Sequence, residues 1–152
     1  EFNNTQTPYS HAACLFHLHA AGYRRDSNVA IRASNGLYLT CGQIDGHIRA
    51  DSSDIGNWIG RFELFVNGPW ATLICYNGLF MTVASAQIVA SVVEYINPIC
   101  EYELQAIPGG KFALKSKSSN HYLNIQNQPD GSYTLECVSP TITADCQFQL
   151  IP

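Results

Sequence analysis

Charged side chains are scarce in this sequence. It has 8 Lys and Arg against 12 Asp and Glu, for a formal net charge of -4 over 152 residues. So few cations exclude a broad phosphate-binding surface, because nucleic-acid affinity rests largely on neutralised phosphates. No apolar run approaches the roughly 20 residues that a membrane-spanning helix needs, so no membrane span is expected. There is no Cys-x-x-Cys pair, and no second ligand cluster completes a zinc-finger spacing around Cys14, His17 and His19. There is also no Gly-x-Ser-x-Gly turn to carry a nucleophilic serine. Helical periodicity is almost absent. These gaps point to a non-catalytic protein with no metal and no cofactor.

What remains is a globular composition. Hydrophobic residues make up 46% and aromatics 11%, enough for one packed core in a chain of this length. Six cysteines are present, an even number that suits disulfides in an oxidising compartment. Asn3-Asn4-Thr5 is a glycosylation sequon, with Asn3 as the acceptor. Together with a start at Glu1 rather than Met, these features lead us to expect a mature secreted protein.

One phrase recurs at intervals of about 40 residues. It is anchored on Asn35-Gly36-Leu37, Asn77-Gly78-Leu79 and Asn120-His121-Tyr122. Each copy begins with an alternating strand: VAIRA from Val29, ATLIC from Ala71 and FALKS from Phe112. The second strands, LYLTC, LFMTV and HYLNI, place Leu39, Met81 and Leu123 in register. The third are HIRAD, IVAS and YTLEC. The fourth match Phe62/Leu64 with Tyr102/Leu104 and Phe148/Leu150. Alternation of apolar and polar residues is what a half-buried antiparallel strand requires. Asp45-Gly46 and Asp130-Gly131 supply the positive-φ residues of the hairpin turn between strands two and three, whereas the middle copy has Ser85-Ala86 there. A four-stranded unit cannot cover its own apolar face, and three units are too few to close a propeller. Three such units close instead into a barrel capped at one end by three hairpins. The expected fold is therefore all-β, a β-trefoil with pseudo-threefold symmetry. Its repeats span about 28–67, 68–108 and 109–152, after an N-terminal arm at 1–27.

The wording of the first copy, VAIRASNGLYLTC followed by Asp45-Gly46 and IGNWIGRFELF, resembles fascin-like β-trefoils. The third copy is similar, more weakly, to fibroblast growth factors, although its basic residues are only Lys111, Lys115 and Lys117. The fascin-like resemblance implies the trefoil fold and, in cytosolic members, actin binding. The Gln-x-Trp motif of ricin-type lectins is absent from all three fourth strands, so none of that family's sugar-binding residues can be carried over.

Six cysteines allow fifteen pairings. In a trefoil, strands one and four of a copy lie side by side, which favours Cys75–Cys100. Cys137–Cys146 would close the loop before the last strand, leaving Cys14–Cys41 to tether the arm. His17-x-His19 with His11 is read as exposed histidine rather than a metal site. Three sets of side chains offer the hydrogen-bonding and stacking groups that grip a sugar: Asp45 with His47; Asp54 and Asn57 with Trp58; and Asp130 and Tyr133 with His121 and Asn124. Turn-making is the ordinary role of Asp45 and Asp130. Trp70 is placed either in the core or as an exposed anchor. Trefoil loops vary freely on a rigid scaffold, so the expected function is a secreted, lectin-like carbohydrate-binding protein. The alternative is protein recognition, as a cytokine-like ligand, effector or protease inhibitor, with fascin-like actin binding third. The expected partner is a glycan or an extracellular protein.

Overall fold

A computed structural model describes residues 23–152, and within it the chain forms a single twelve-stranded, all-antiparallel sheet system. The strands are β1 (Tyr23–Arg32), β2 (Tyr38–Cys41), β3 (Ile48–Ser52), β4 (Phe62–Asn67), β5 (Trp70–Ile74) and β6 (Phe80–Val83). They continue as β7 (Val89–Val93), β8 (Tyr102–Ile107), β9 (Lys111–Ser116), β10 (Tyr122–Asn127), β11 (Tyr133–Ser139) and β12 (Gln149–Ile151). The sequon at Asn3, Cys14 with its expected partnership to Cys41, and the histidines of the arm lie outside the described residues.

Two sets of pairings define the architecture. β1 pairs β4, β4 pairs β5, β5 pairs β8 and β8 pairs β9. The Phe112–Phe148 bridge and the β1–β12 ladder then close the ring. The remaining strands form three hairpins, β2–β3, β6–β7 and β10–β11. These hairpins meet one another through Thr134 opposite Arg49, His47 opposite Ala90 and Ile88 opposite Glu136. A closed ring capped by three mutually contacting hairpins is a trefoil-like fold, and closure leaves the ring strands without free edges.

The core follows from the alternation. Ile31, Leu73 and Leu114 on the ring strands meet Leu39, Met81 and Leu123 from the hairpins around one small apolar void, with Leu135 and Phe148 completing its wall. Phe62, Tyr102 and Phe148 are all buried. Tyr102 alone of these carries a hydroxyl, which donates to the Met81 carbonyl at 2.9 Å. A buried phenol without that acceptor would lose a hydrogen bond to water and gain none. Burial also pushes the Tyr102 hydroxyl well above its usual pKa, so it stays a donor.

Three local features depart from expectation. First, β1 starts at Tyr23, inside the segment assigned to the arm, and Tyr23–Asp26 pair with β4. The alternation is hidden there because the register shifts between Asp26 and Val29, where Asn28 takes φ +59° and its carbonyl accepts from Arg61 Nη1 at 3.1 Å. Second, Asn120 sits at the turn position of Gly36 and Gly78, not of Asn35 and Asn77. Its φ of +62° matches their +84° and +83°. Ser119 takes over the asparagine role, its Oγ accepting from His121 N at 3.3 Å as Asn35 Oδ1 accepts from Leu37 N at 3.0 Å.

Third, the middle hairpin turns through two left-handed non-glycine residues, Ala86 at φ +60° and Gln87 at φ +63°, where the other two use Gly46 and Gly131. A left-handed alanine costs about 1–2 kcal/mol, and glycine at the same place gives back part of that as unfolded-state entropy. Ala86→Gly is therefore expected to raise the chemical-denaturation midpoint by the equivalent of about 0.5 kcal/mol. The same change at Ala84, whose φ is -89°, should lower it.

The disulfides expected within the trefoil are not formed. All five described cysteines are buried free thiols. Cys100 and Cys146 each sit at the end of a short 3-10 turn, Pro98–Cys100 and Ala144–Cys146, and their sulfurs point back into that turn. Cys100 Sγ donates to the Asn97 carbonyl at 3.2 Å and Cys146 Sγ to the Thr141 carbonyl at 3.5 Å. They cap their own loops, so neither reaches Cys75 or Cys137. Strand adjacency was correct, but the turn directs each sulfur inward.

Candidate functional site

Where the β2–β3 and β10–β11 hairpins converge they leave a cleft of about 490 Å³. Its walls include His47 and Arg49 from one hairpin and Gln128, Asp130, Thr134 and Glu136 from the other, with Ile88 at the edge. The cleft thus joins residues that the sequence placed in two separate sets, Asp45/His47 and Asp130.

The Arg49 side is held rigidly. Asp45 Oδ1 accepts from His47 N at 2.9 Å and from Arg49 Nη1 at 3.2 Å, while Oδ2 accepts from Arg49 Nη2 at 2.7 Å. This two-pronged pairing fixes the guanidinium plane. Gly42 makes room for it, since a Cβ there would press on Asp45 Oδ1 and lie 2.8 Å from Arg49 Nη1. His47 Nδ1 stands 3.5 Å from Asp45 Oδ2. Asp45 is thus a clamp behind the cleft wall, combining its expected turn role with orientation of Arg49.

The facing wall is ordered as well. Asp130 Oδ1 accepts from Ser132 N at 2.9 Å and Ser132 Oγ at 2.6 Å, and these bonds hold its carboxyl below the usual range. Gln128 Nε2 donates to Thr134 Oγ1 at 2.8 Å and to Glu136 Oε2 at 3.2 Å, and Thr134 Oγ1 donates to the same carboxylate oxygen at 3.2 Å. The result is a cationic fork opposite carboxylates and an amide, all positioned by protein partners. Such a site suits a polyhydroxylated ligand, which needs donors and acceptors together. Among the described residues no group of three or more His, Cys, Asp and Glu is arranged to hold a metal ion.

The Arg49 fork beside Asp45 holds that carboxyl well below the usual carboxylate range, ahead of the smaller help from His47 N–H. A depressed folded-state pKa adds stability that is complete above the unfolded value of about 4 and is lost as pH falls through the folded one. Asp45 and Arg49 are both substantially solvent-exposed, so the pair is worth less than about 1 kcal/mol. Urea titrations of the parent protein and of Asp45→Asn, which keeps the bond to His47 N, should differ by this small amount at pH 7 and converge in strong acid. A constant gap at all pH values would show that the charge plays no part.

The other expected residues fall elsewhere. Asp54 and Asn57 stand with Trp58 on one loop, but their oxygens serve the backbone. Asp54 Oδ1 accepts from Gly56 N at 2.9 Å and Asn57 Oδ1 from Ile59 N at 3.3 Å. Trp58 is 59% exposed and meets Tyr76 edge-on at 4.9 Å between centroids. Asn124 is buried and its Oδ1 accepts from Val138 N at 3.1 Å. Tyr133 packs against the core. His121 lines a separate recess with Gln87, Ser119, Cys137 and Val138. Of that third set only Asp130 reaches the cleft. Trp70 is half-buried, with Lys117 Nζ 4.5 Å above its ring and 3.0 Å from Glu101 Oε1.

Arg49, Gln128, Thr134 and Glu136 were not singled out from the sequence. The i,i+4 spacing of Asp45 and Arg49 and the outward alternation of Thr134 and Glu136 on β11 were the available signals. Neither says that the two hairpins face each other.

Among the described residues no helix is long and apolar enough to cross a membrane. No protein-family profile matches the chain, and no curated protein matches its sequence. Its shape, in contrast, is shared by many solved structures. ThreeFoil, a designed 3-fold symmetric protein, superposes with a TM-score of 0.73 at 16% identity, over 84% of this chain and 99% of the designed one. The GlcNAcα1-4Gal-releasing endo-β-galactosidase from Clostridium perfringens gives a TM-score of 0.67 at 13% identity, over 83% of this chain. A mosquitocidal holotoxin gives a TM-score of 0.70 at 9% identity, again over 83% of this chain. The match takes in 32% of the galactosidase and 17% of the toxin. At these identities the likeness establishes the trefoil-like fold and nothing finer.

Proposed function

We propose that this protein is a secreted, non-catalytic, carbohydrate-binding protein of lectin type, which takes its ligand in the cleft between the β2–β3 and β10–β11 hairpins. The observation that carries this reading is the pre-positioned ring of Arg49, Gln128, Asp130, Thr134 and Glu136. Side chains already held by protein partners lose little conformational freedom when a ligand arrives. Trp58, exposed and braced by Tyr76, offers a stacking face for an extended or second ligand. The chain is read as three copies of a four-stranded unit, with the fascin-like likeness resting on the wording of the first copy. The presence of this fold as part of an endo-β-galactosidase fits the reading without carrying it.

One observation favours protein recognition instead. Val92, Tyr95, Ile96 and Ile99 are exposed on and after β7, an apolar cluster that a protein partner would cover. A glycan array separates the two readings. Binding to a defined glycan class, lost in Arg49→Ala and kept in Tyr95→Ala, supports the cleft. An array without any hit overturns the lectin reading.

A further inference from the structure

On the outer face of the ring, β1, β12 and β9 lie side by side. Arg32 stands opposite Gln149 in the β1–β12 ladder. On the other side of β12, Phe112 and Phe148 exchange both backbone hydrogen bonds at 2.9 Å, which sets Lys111 beside Gln149. Ile31, Phe112, Phe148 and Leu150 are buried, so the residues that alternate with them point outward. Arg32, Gln149 and Lys111 thus form one row across three strands, a cation, an amide and a cation, with roughly 10 Å between the two outer backbones. The row lines a recess of about 230 Å³, whose walls also include Ser34, Gly36 and Gln147.

The same row carries a carboxylate in the other two thirds of the molecule. The positions matched to Gln149 are Glu63 and Glu103. The Glu63 carboxylate pairs with Arg25 Nε. Glu103 stands opposite Lys115 on one side and Trp70 on the other. Of the three rows, only the one on β12 has an amide at its centre and a cation on each flank. No ion pair of the described residues involves Arg32 or Lys111. Ser34 Oγ donates to Asp145 Oδ1 at 3.3 Å, but Asp145 is not on the wall of the recess. Arg32 Nε donates to the Gly36 carbonyl at 3.3 Å, which leaves both terminal nitrogens of the guanidinium free to donate to a ligand.

We propose that this row is an anion site that takes one tetrahedral oxyanion, the sulfate or phosphate group of a small ester. The donor set matches that shape. The guanidinium offers a fork to two oxygens, Lys111 a point charge to a third, and the Gln149 amide N–H lies between them. A carboxylate has two oxygens and would leave part of the set unmet. The bound group supplies the negative charge that a glutamate supplies in the other two rows. The recess is smaller than the roughly 300–1,000 Å³ of sites that enclose a drug-sized ligand, so it grips the charged group and leaves the rest of the ester in solvent. No third cation lines it, so one oxyanion is expected rather than a polyanion. The site shares no residue with the cleft and is independent of the glycan reading.

Sodium sulfate and sodium phosphate, each titrated into the isotope-labelled full chain, should give saturable shifts of the Arg32 Nε–H and Gln149 Nε2–H signals. Ionic strength is held constant with chloride, which removes simple screening. Whichever ion saturates at the lower concentration identifies the class of ester. Arg32→Gln and Lys111→Gln should each weaken binding by about 10–100-fold, the effect of losing one charge-assisted hydrogen bond. Gln149→Glu, which installs the carboxylate of the other two rows, should abolish it. Lys115→Gln, on the row that already has Glu103, should leave it unchanged. None of these four side chains is buried, so the rest of the backbone spectrum should be retained. Shifts that grow without saturating overturn the proposal, as does binding that survives Gln149→Glu.

Discussion

Leu123→Ala is expected to cost about 3–5 kcal/mol of folding stability, a large share of the roughly 5–15 kcal/mol that a domain of this kind possesses. Leu123 is almost fully buried and lines the axial void together with Leu39 and Met81. A truncation leaves a cavity beside that void, and the strands around it come from all three parts of the chain. Each is fixed by its own ladder, so the walls cannot collapse inward. Met81→Leu, which nearly conserves volume, should cost less than about 1.5 kcal/mol. Guanidinium titrations measure both, with the slope unchanged if only the folded core is affected. A loss below about 1 kcal/mol for Leu123→Ala would mean that the axis is not the packing centre.

Arg49→Ala is expected to weaken glycan binding by about 10–100-fold, the equivalent of one charge-assisted hydrogen bond of about 1.5–3 kcal/mol. Two effects combine. The ligand loses a donor whose plane Asp45 had fixed, and Asp45 is left as an unpaired carboxylate behind the cleft. Arg49→Lys keeps the charge but not the fork, and should recover only part of the loss. Calorimetry against the glycan found on the array gives the affinities. Stability should fall by less than about 1 kcal/mol, because the pair is largely exposed. Unchanged affinity in Arg49→Ala would move the site away from this cleft.

The two experiments probe different levels of the molecule. The first asks whether three equivalent apolar positions share one centre, and the second whether two hairpins share one ligand.

Much of the fold was legible from residue order. Alternation at Phe62/Leu64, Tyr102/Leu104 and Phe148/Leu150 marks strands, and Asp45-Gly46 and Asp130-Gly131 mark turns, because both signals are local. The register of Leu39, Met81 and Leu123 follows from the same period, since a half-buried strand can present only one face to the core. The start of β1 was hidden because the bulge at Asn28 breaks the period and three charged residues, Arg24, Arg25 and Asp26, precede it.

What the sequence determined by itself, then, is the strands, their inward faces and the all-β, trefoil-like class of the fold. Only the tertiary structure decided that His47 and Asp130 share a cleft while Asn124 is buried, its Oδ1 accepting from Val138 N. Only the tertiary structure turned the Cys100 sulfur onto the Asn97 carbonyl, leaving it and Cys75 as free thiols. The physical reason is range: alternation and turn chemistry act over a few residues, whereas the approach of one hairpin to another is set by how the whole ring twists and closes.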